Sequence, residues 1–224
     1  MIASWHSLVL DEAITKRHST RMFLPQQVPR ALVDESRRPG PTCAVEFQHL
    51  AVAYGDRVAG PPRDRLVAPR CSTQPGAWPP NISPLPESFQ HFRRELGAQV
   101  YGAMGIAPEV TAKHAAAVLR NWEFFRAPLI GIVCMHRDLG PVDAMSVGMY
   151  LQTLLLAFTE RGLGTCIEVS VAGYPQIVRV QLAVPAELLI LCGLAVGYPD
   201  PDFPAYRLHV SREPIDKNVA FLDR

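Results

Sequence analysis

The sequence predicts an α+β or mixed α/β fold, and two observations support this prediction. Segments with helical periodicity alternate irregularly with short, apolar, β-branched segments that are typical of buried strands. The chain has 224 residues, 48% of them apolar and 19% charged, which suits one large domain or two small ones with a substantial core. The sequence shows no internal repeat.

The chain up to residue 125 contains four predicted helices. Apolar spacing over residues 8–14 predicts a helix that ends near residues 17–19. A second helix begins at residues 28–33, where Pro29 is tolerated in the first turn. Further helices are predicted for residues 89–104 and 115–125.

The second half of the chain begins with a predicted buried strand over residues 128–135. Residues 142–161 form a long, almost wholly apolar helix that ends at Gly162, and such a helix lies in a core or a subunit interface. The elements that follow are a strand at 166–171, a helix at 174–182 and a strand at 188–196. The proline-rich tail from Gly197 is expected to cross a surface.

Charge and hydropathy exclude several classes of protein. A formal net charge of +1 argues against a nucleic-acid binder. The longest apolar run, residues 184–197, contains Glu187 and is too short to span a bilayer. No secretion signal is evident at the N-terminus, so we expect a cytoplasmic protein without a membrane partner.

The five cysteines indicate neither a disulfide framework nor a metal site. They are odd in number and widely spaced, with no Cys-x-x-Cys motif and no nearby histidine pair. Three lie in apolar runs and are expected to be buried, reduced thiols. These three are Cys134, Cys166 and Cys192.

A cationic cluster at residues 17–21, Arg-His-Ser-Thr-Arg, directly follows the first predicted helix. Guanidinium groups bind phosphate bidentately, and a serine hydroxyl adds a hydrogen bond. The alternative is a solvated helix end, where cations are favourable near the C-terminus. Charge alone favours this alternative.

The cluster nevertheless resembles the N-terminal signature of the nitroreductase family, Arg-[Arg/His]-Ser-x-[Arg/Lys] followed by a hydrophobic pair. Further resemblances follow in the family's order and cover roughly residues 8–38 and 118–222. They are Gly148-x3-Gln152-x2-Leu155, the turn Arg161-Gly-Leu-Gly-Thr-Cys166, the strand end Gly193-Leu-Ala-Val-Gly-Tyr-Pro199, and Arg212-Glu-Pro214. The chain therefore resembles an FMN-dependent oxidoreductase of this family.

The resemblance implies a single α+β domain over residues 1–224, with three layers and a mixed central sheet surrounded by helices. It also implies a homodimer formed through the long helix at 142–161, with FMN at the interface. Residues from about 200 to 224 would form an extension that wraps the partner subunit.

The same resemblance implies a set of FMN-binding residues and no catalytic side chain. Arg17, His18 and Ser19 would contact the FMN phosphate and ribityl chain. Arg21 would lie at the pyrimidine edge of the ring, where a cation stabilises the charge of the reduced flavin. Ile167 and Glu168 would lie over the ring near N5, and Arg212 would close on the phosphate.

The implied activity is reduction of nitroaromatic or related electrophilic acceptors. NADPH or NADH would donate hydride to the flavin in a ping-pong mechanism. One alternative is quinone or enone reduction, or other flavin chemistry, on the same fold. Another is a degenerate, non-catalytic flavin-binding protein.

The proline-rich stretch at residues 39–86 departs from the family. The family has a Pro-Ser-x-x-Asn-x-Gln-Pro-Trp loop there, whereas residues 39–50 read Pro-Gly-Pro-Thr-Cys-Ala-Val-Glu-Phe-Gln-His-Leu. Suitable codons for residues 46–54, read one base later, give Asn-Ser-Asn-Thr-Trp-Pro-Trp-Arg. We therefore hypothesise compensating frame slips near residues 43–78, which intact-mass measurement with peptide mapping would test.

Overall fold

The computed structural model describes residues 9–37, 49–54, 83–107, 111–210, 213–217, 219–220 and 222. Its helices are α1 (Leu10–Lys16), α2 (Arg30–Arg37), α3 (Gln90–Ala103), α4 (Thr111–Leu119), α5 (Pro141–Glu160) and α6 (Pro175–Leu182). Its strands are β1 (His49–Tyr54), β2 (Leu129–His136), β3 (Gly164–Glu168) and β4 (Leu188–Gly197). Short 3-10 turns occupy Glu87–Phe89, Phe124–Arg126, Val169–Gly173 and Ile215–Lys217.

The four strands form one sheet in the order β1-β2-β4-β3, and each neighbouring pair is antiparallel. A parallel element comes from the isolated bridge between Ser19 and Thr165, beside β3. A register shift at Val133 and Cys134 inserts an extra residue into β4, which changes the face on which the following β4 side chains lie. Helices and a largely antiparallel sheet confirm the predicted α+β class.

Helices and turns cover both faces of the sheet, as the three-layer prediction requires. On one face, α2 and α5 pack on β2 and β4 through a core cluster that includes Val33, Leu154 and Phe158. On the other face, the turns at Phe124–Arg126 and Val169–Gly173 pack with α6 in a second cluster. Apolar side chains that alternate along β2 supply both clusters.

Helix α5 has well-defined ends and two different faces. The Gly140 backbone N–H donates to the Asp143 carboxylate at 2.9 Å, and Gly162 follows the helix with a φ of 73°. One face buries Leu151, Leu154 and others in the core, whereas Val142, Met145 and Met149 on the opposite face are exposed. Among the described helices, α5 alone is long and apolar enough to cross a membrane, but its buried face is that of a core helix.

Two predicted elements have the wrong boundaries. The helix predicted for residues 115–125 ends at Leu119, and Phe124–Arg126 form a left-handed turn with φ values of 50°, 50° and 62°. This turn buries both phenylalanine rings against the sheet. The strand predicted for 166–171 is β3, Gly164–Glu168, because pairing with β4 begins opposite Gly197.

The remaining helix and strand predictions are confirmed within a few residues. No strand was predicted in the stretch 39–86, which lacks periodicity, yet it contains β1. The residues of β1 pair with β2, from His49 opposite Cys134 to Tyr54 opposite Leu129. The other residues of the hypothesised frame slips, 43–48 and 55–78, lie outside the described residues.

Candidate functional site

The residues after α1 run along the edge of the sheet instead of continuing into solvent. Ser19 forms a parallel bridge with Thr165 of β3, and the Thr20 backbone N–H donates to the Thr165 carbonyl at 2.9 Å. Farther along, Phe23 bridges to Pro199, just beyond β4. The cationic cluster at residues 17–21 is therefore fixed beside β3, which contradicts the interpretation of it as a merely solvated helix end.

A glycine in β3 makes this close approach possible. A Cβ atom on Gly164 would overlap the Thr20 hydroxyl and would lie 2.8 Å from the Pro199 Cγ atom. A larger residue would push the segment 19–24 away from the sheet. The Gly162-Leu-Gly-Thr165 sequence thus serves two purposes, since Gly162 ends the preceding turn and Gly164 admits the neighbouring chain.

His18 has one satisfied ring nitrogen and one unsatisfied ring nitrogen. Its Nδ1 atom lies 2.8 Å from the Lys16 carbonyl, so Nδ1 carries a hydrogen and donates it. The imidazole packs edge-on against Tyr206 of the tail, with 5.5 Å between ring centroids. The Nε2 atom is buried and has no hydrogen-bond partner among the described residues.

Ser19, Arg21, Cys166 and Glu168 form a compact polar group. Burial raises the pKa of Glu168 to about 8, while a hydrogen bond with the Cys166 thiol and the charge of Arg21 lower it. Burial likewise raises the pKa of Cys166, and the Glu168 charge raises it further, whereas a hydrogen bond with Ser19 lowers it. The Cys166 thiol therefore forms hydrogen bonds with both Ser19 and Glu168.

The charge of Arg21 also acts on Tyr101, near the end of α3. Its Nη1 atom donates to the Ser19 carbonyl at 3.2 Å, which orients the guanidinium beside the chain. Burial raises the pKa of Tyr101, and the charges of Arg93 and Arg21 lower it. The charge of Arg21 therefore acts on titratable groups of both α3 and β3.

Three buried side-chain polar atoms have no hydrogen-bond partner within the described part of the chain, and all three belong to this region. They are Nε2 of His18, Oγ1 of Thr20 and Oε1 of Glu168. Buried polar atoms are normally satisfied, and unsatisfied ones in one region indicate a missing ion, water or ligand. With Arg17 and Arg21 nearby in sequence, the region suits a polar, anionic ligand.

The structure brings together most of the residues predicted from the sequence. Ser19, Arg21 and Glu168 are neighbours, His18 is adjacent to them in the chain, and Arg17 is half-buried next to His18. Ile167 is 39% exposed and points to the opposite face of β3 from Glu168. Arg212 lies outside the described residues.

Other residues of this region were not predicted from the sequence. Thr20 occupies a variable position of the signature, Cys166 was predicted only to be a buried thiol, and Tyr206 lies in the tail. Pairing of the segment after α1 with β3 brings Thr20 and Cys166 together, and the folding back of the tail brings Tyr206 to His18. Neither arrangement has a local sequence signal.

Comparison with known proteins places the chain in a family. The nitroreductase family model matches residues 87–198, half of the chain. The chain belongs to the nitroreductase family. It is 28% identical to a 4-nitrobenzoate reductase of Nocardioides sp. (strain LMS-CY), over 95% of this chain and 89% of the relative. It is 27% identical to a 4-nitrobenzoate reductase of Pseudomonas putida, over 91% of each.

A solved nitroreductase structure agrees with this assignment. The FMN and NADPH-dependent nitroreductase NfnB from Sphigopyxis sp. strain HMH superimposes with a TM-score of 0.83 at 27% identity, covering 97% of this chain and 100% of that one. The predicted family membership and nitroreductase-like fold are therefore confirmed. The family model covers α3 to β4, whereas the cationic cluster precedes the matched residues.

Proposed function

We propose that this nitroreductase-family chain is an FMN-dependent NAD(P)H oxidoreductase that reduces nitroaromatic acceptors. The observation that supports this most strongly is the cationic cluster held against β3, in which the buried Nε2 atom of His18 has no hydrogen-bond partner among the described residues. FMN is a polar, anionic ligand with a phosphate, a hydroxylated chain and a ring that has hydrogen-bonding edges. The relatives named above act on nitro compounds, and the solved relative is FMN and NADPH-dependent.

The residues present fit FMN, and each has a role that its chemistry allows. Arg17 and Ser19, with Arg212 of the tail, would hold the phosphate, and His18 would hydrogen-bond the phosphate or ribityl chain. Arg21 would place its positive charge at the pyrimidine edge of the ring. Backbone groups of Ile167 and Glu168 would face the ring near N5.

The bound flavin would supply the redox chemistry, accepting hydride from NADPH or NADH and passing it to the acceptor in ping-pong order. The protein's part is to bind, orient and stabilise charge. Arg21 would favour the anionic reduced state electrostatically, because a fixed cation in a partly buried site is poorly screened by water. No side-chain nucleophile is required.

We further propose a homodimer that forms through the exposed face of α5. Val142, Met145 and Met149 are 72%, 62% and 57% exposed, and they lie on one side of the helix. Helix α1 packs beside α5 and adds exposed Leu10 and Ile14. A second copy covering this surface would bury an apolar patch of the kind that marks protein interfaces. The extension from about residue 200 to 224 would wrap the partner, and the dimer would work in the cytoplasm.

One spectroscopic titration tests the proposed activity. Purified protein reconstituted with FMN should be yellow, should bleach on anaerobic addition of NADPH and should recover its colour with 4-nitrobenzoate. Recovery with a quinone but not with a nitroaromatic would favour the alternative reductase activity. Protein that remains colourless and retains no added FMN would contradict the proposal and would favour a degenerate protein.

A further inference from the structure

The side chain of Glu168 is buried on the face of the sheet that a strained turn covers. Glu168 pairs with Gly193 across β3 and β4, so the two positions share one face of the sheet. The Phe124 ring occupies the space above Gly193, where a Cβ atom would lie 2.6 Å from the ring carbon Cε1. Phe124 begins the left-handed turn, so unfavourable backbone angles at Phe124–Arg126 are maintained by burial of this ring.

The Glu168 carboxyl is buried, and only one of its two oxygen atoms is satisfied. It is 3% exposed, and its Oε1 atom has no hydrogen-bond partner in the described residues. The titratable groups that affect it or are affected by it are Cys166 on β3, Cys192 on β4 and Arg21. Both thiols are neutral because burial raises the pKa of each, well above its usual value for Cys166 and to about 12 for Cys192.

Arg21 is the cation whose charge lowers the pKa of Glu168, yet the two do not form a salt bridge. The Nη1 atom of Arg21 donates to the Ser19 carbonyl, and no ion pair joins Arg21 to Glu168 among the residues that the structure describes. An ionised carboxylate in this position would have the Cys166 thiol as a hydrogen-bond donor but would lack the ion-pair partner that a buried charge requires. A neutral carboxylic acid avoids that cost and leaves the charge of Arg21 uncompensated.

We propose that Glu168 is a positioning residue that is protonated at neutral pH, and that its ionisation above neutral pH draws the Arg21 guanidinium away from the flavin. The pair would act as a switch on the flavin's reduction potential. This inference rests on the proposed function, because Arg21 acts on the flavin only if FMN binds beside it. The electrostatic coupling between Glu168 and Arg21 does not itself require bound FMN.

The direction of the effect follows from charge. With Glu168 neutral, Arg21 stabilises the extra negative charge of the reduced flavin and favours reduction. With Glu168 ionised, the carboxylate offsets that cation and adds a negative charge nearby, so reduction becomes less favourable. Since burial raises the pKa of Glu168 to about 8, the change should occur slightly above neutral pH.

The first measurement is the reduction potential of the FMN-loaded protein as a function of pH. The wild type should show a downward break near pH 8, additional to the break of free FMN measured alongside. Glu168→Gln, which mimics the protonated acid, should keep the neutral-pH potential and lose that break. The matched control Glu187→Gln removes an exposed carboxylate and should behave as the wild type does.

The second measurement uses infrared difference spectra of the FMN-free protein across the same pH range. The wild type and Glu187→Gln should show a protonated-carboxyl band at neutral pH that disappears near pH 8, and Glu168→Gln should lack it. Arg21→Gln should move the disappearance of the band to higher pH, because Arg21 lowers the pKa of Glu168. Arg21→Lys keeps the charge and should move it less.

These outcomes separate the inference from the proposed function. Failure of the wild type to bind FMN would overturn the proposed function and the flavin switch, while the infrared series would still establish or refute the electrostatic coupling between Glu168 and Arg21. Bound FMN with the same pH profile in the wild type and Glu168→Gln would overturn the switch alone. Absence of the carboxyl band at neutral pH, or a band that Arg21→Gln leaves in place, would also overturn the inference.

Discussion

At the scale of single residues, Glu168 should make stability depend on pH in an unusual direction for a carboxyl group. Its pKa rises from 4.5 to about 8 on folding, so between these values the folded chain holds a proton that the unfolded chain has lost. This contribution to stability is complete below pH 4.5 and decreases as the pH rises towards 8. The limiting slope is about 1.4 kcal/mol per pH unit. Urea unfolding at several pH values should show this slope in the wild type relative to Glu168→Gln, and equal slopes would contradict it.

Gly193 provides a second test at this scale. Alanine there places a Cβ atom 2.6 Å from the Phe124 ring, so the ring or its left-handed turn must move. We expect Gly193→Ala to lower the free energy of unfolding by about 1–3 kcal/mol, as overpacking does in other cores. Gly102→Ala is the control, because its Cβ atom on α3 would meet nothing within 4 Å. Equal melting temperatures for the two variants would contradict tight packing at Gly193.

The phosphate-binding residue types of segment 17–21 could be recognised from the sequence, but the residues that surround this segment in the fold could not. The cluster Arg17–Arg21 combines residue types that bind phosphate, and the signature identified it. Cys166 and Glu168 share one face of β3 because side chains alternate along a strand, but Ser19 reaches Cys166 and Thr20 meets Gly164 only because the segment after α1 pairs with β3. Long-range pairing of this kind leaves no mark in local periodicity.

At the scale of elements, the start of α5 depends on one carboxylate. The Asp143 side chain accepts the Gly140 backbone N–H at 2.9 Å, and its charge lies at the positive end of the helix. Asp143→Ala should lower the free energy of unfolding by about 1 kcal/mol. Asp202→Ala, at an exposed turn in the tail, is the matched control and should change it little. Thermal unfolding of both variants compares them, and an unchanged Asp143→Ala would contradict the capping role.

Helices and strands with strong periodicity were predictable, whereas irregular boundaries were not. Helix α5 could be recognised from its apolar residues and its terminal Gly162. The end of α4 was missed because Phe124–Arg126 adopt a left-handed conformation that tertiary burial imposes against local preference. Strand β1 was missed because pairing with β2 stabilises a segment whose surroundings are rich in proline.

At the scale of the whole molecule, the exposed apolar face of α5 is the surface through which we propose that two copies of the chain form a dimer. In a two-fold interface each methionine is buried twice, so Met145 and Met149 count double. Burying such a side chain from full exposure contributes about 1.5–3 kcal/mol. Because Met149 is 57% exposed in the single chain, losing it from both subunits should weaken dimerisation by a factor of about 10 or more. A charge at Met149 would add a desolvation cost.

We therefore expect Met149→Glu to convert a dimer to a monomer in light scattering coupled to size-exclusion chromatography. Val180→Glu is the control, because Val180 is 81% exposed on α6, outside the exposed apolar face of α5. If FMN is held between subunits, Met149→Glu should also lose FMN on gel filtration while Val180→Glu retains it. A Met149→Glu monomer that keeps FMN would show that one chain builds the site alone, and a wild-type monomer would refute the interface itself.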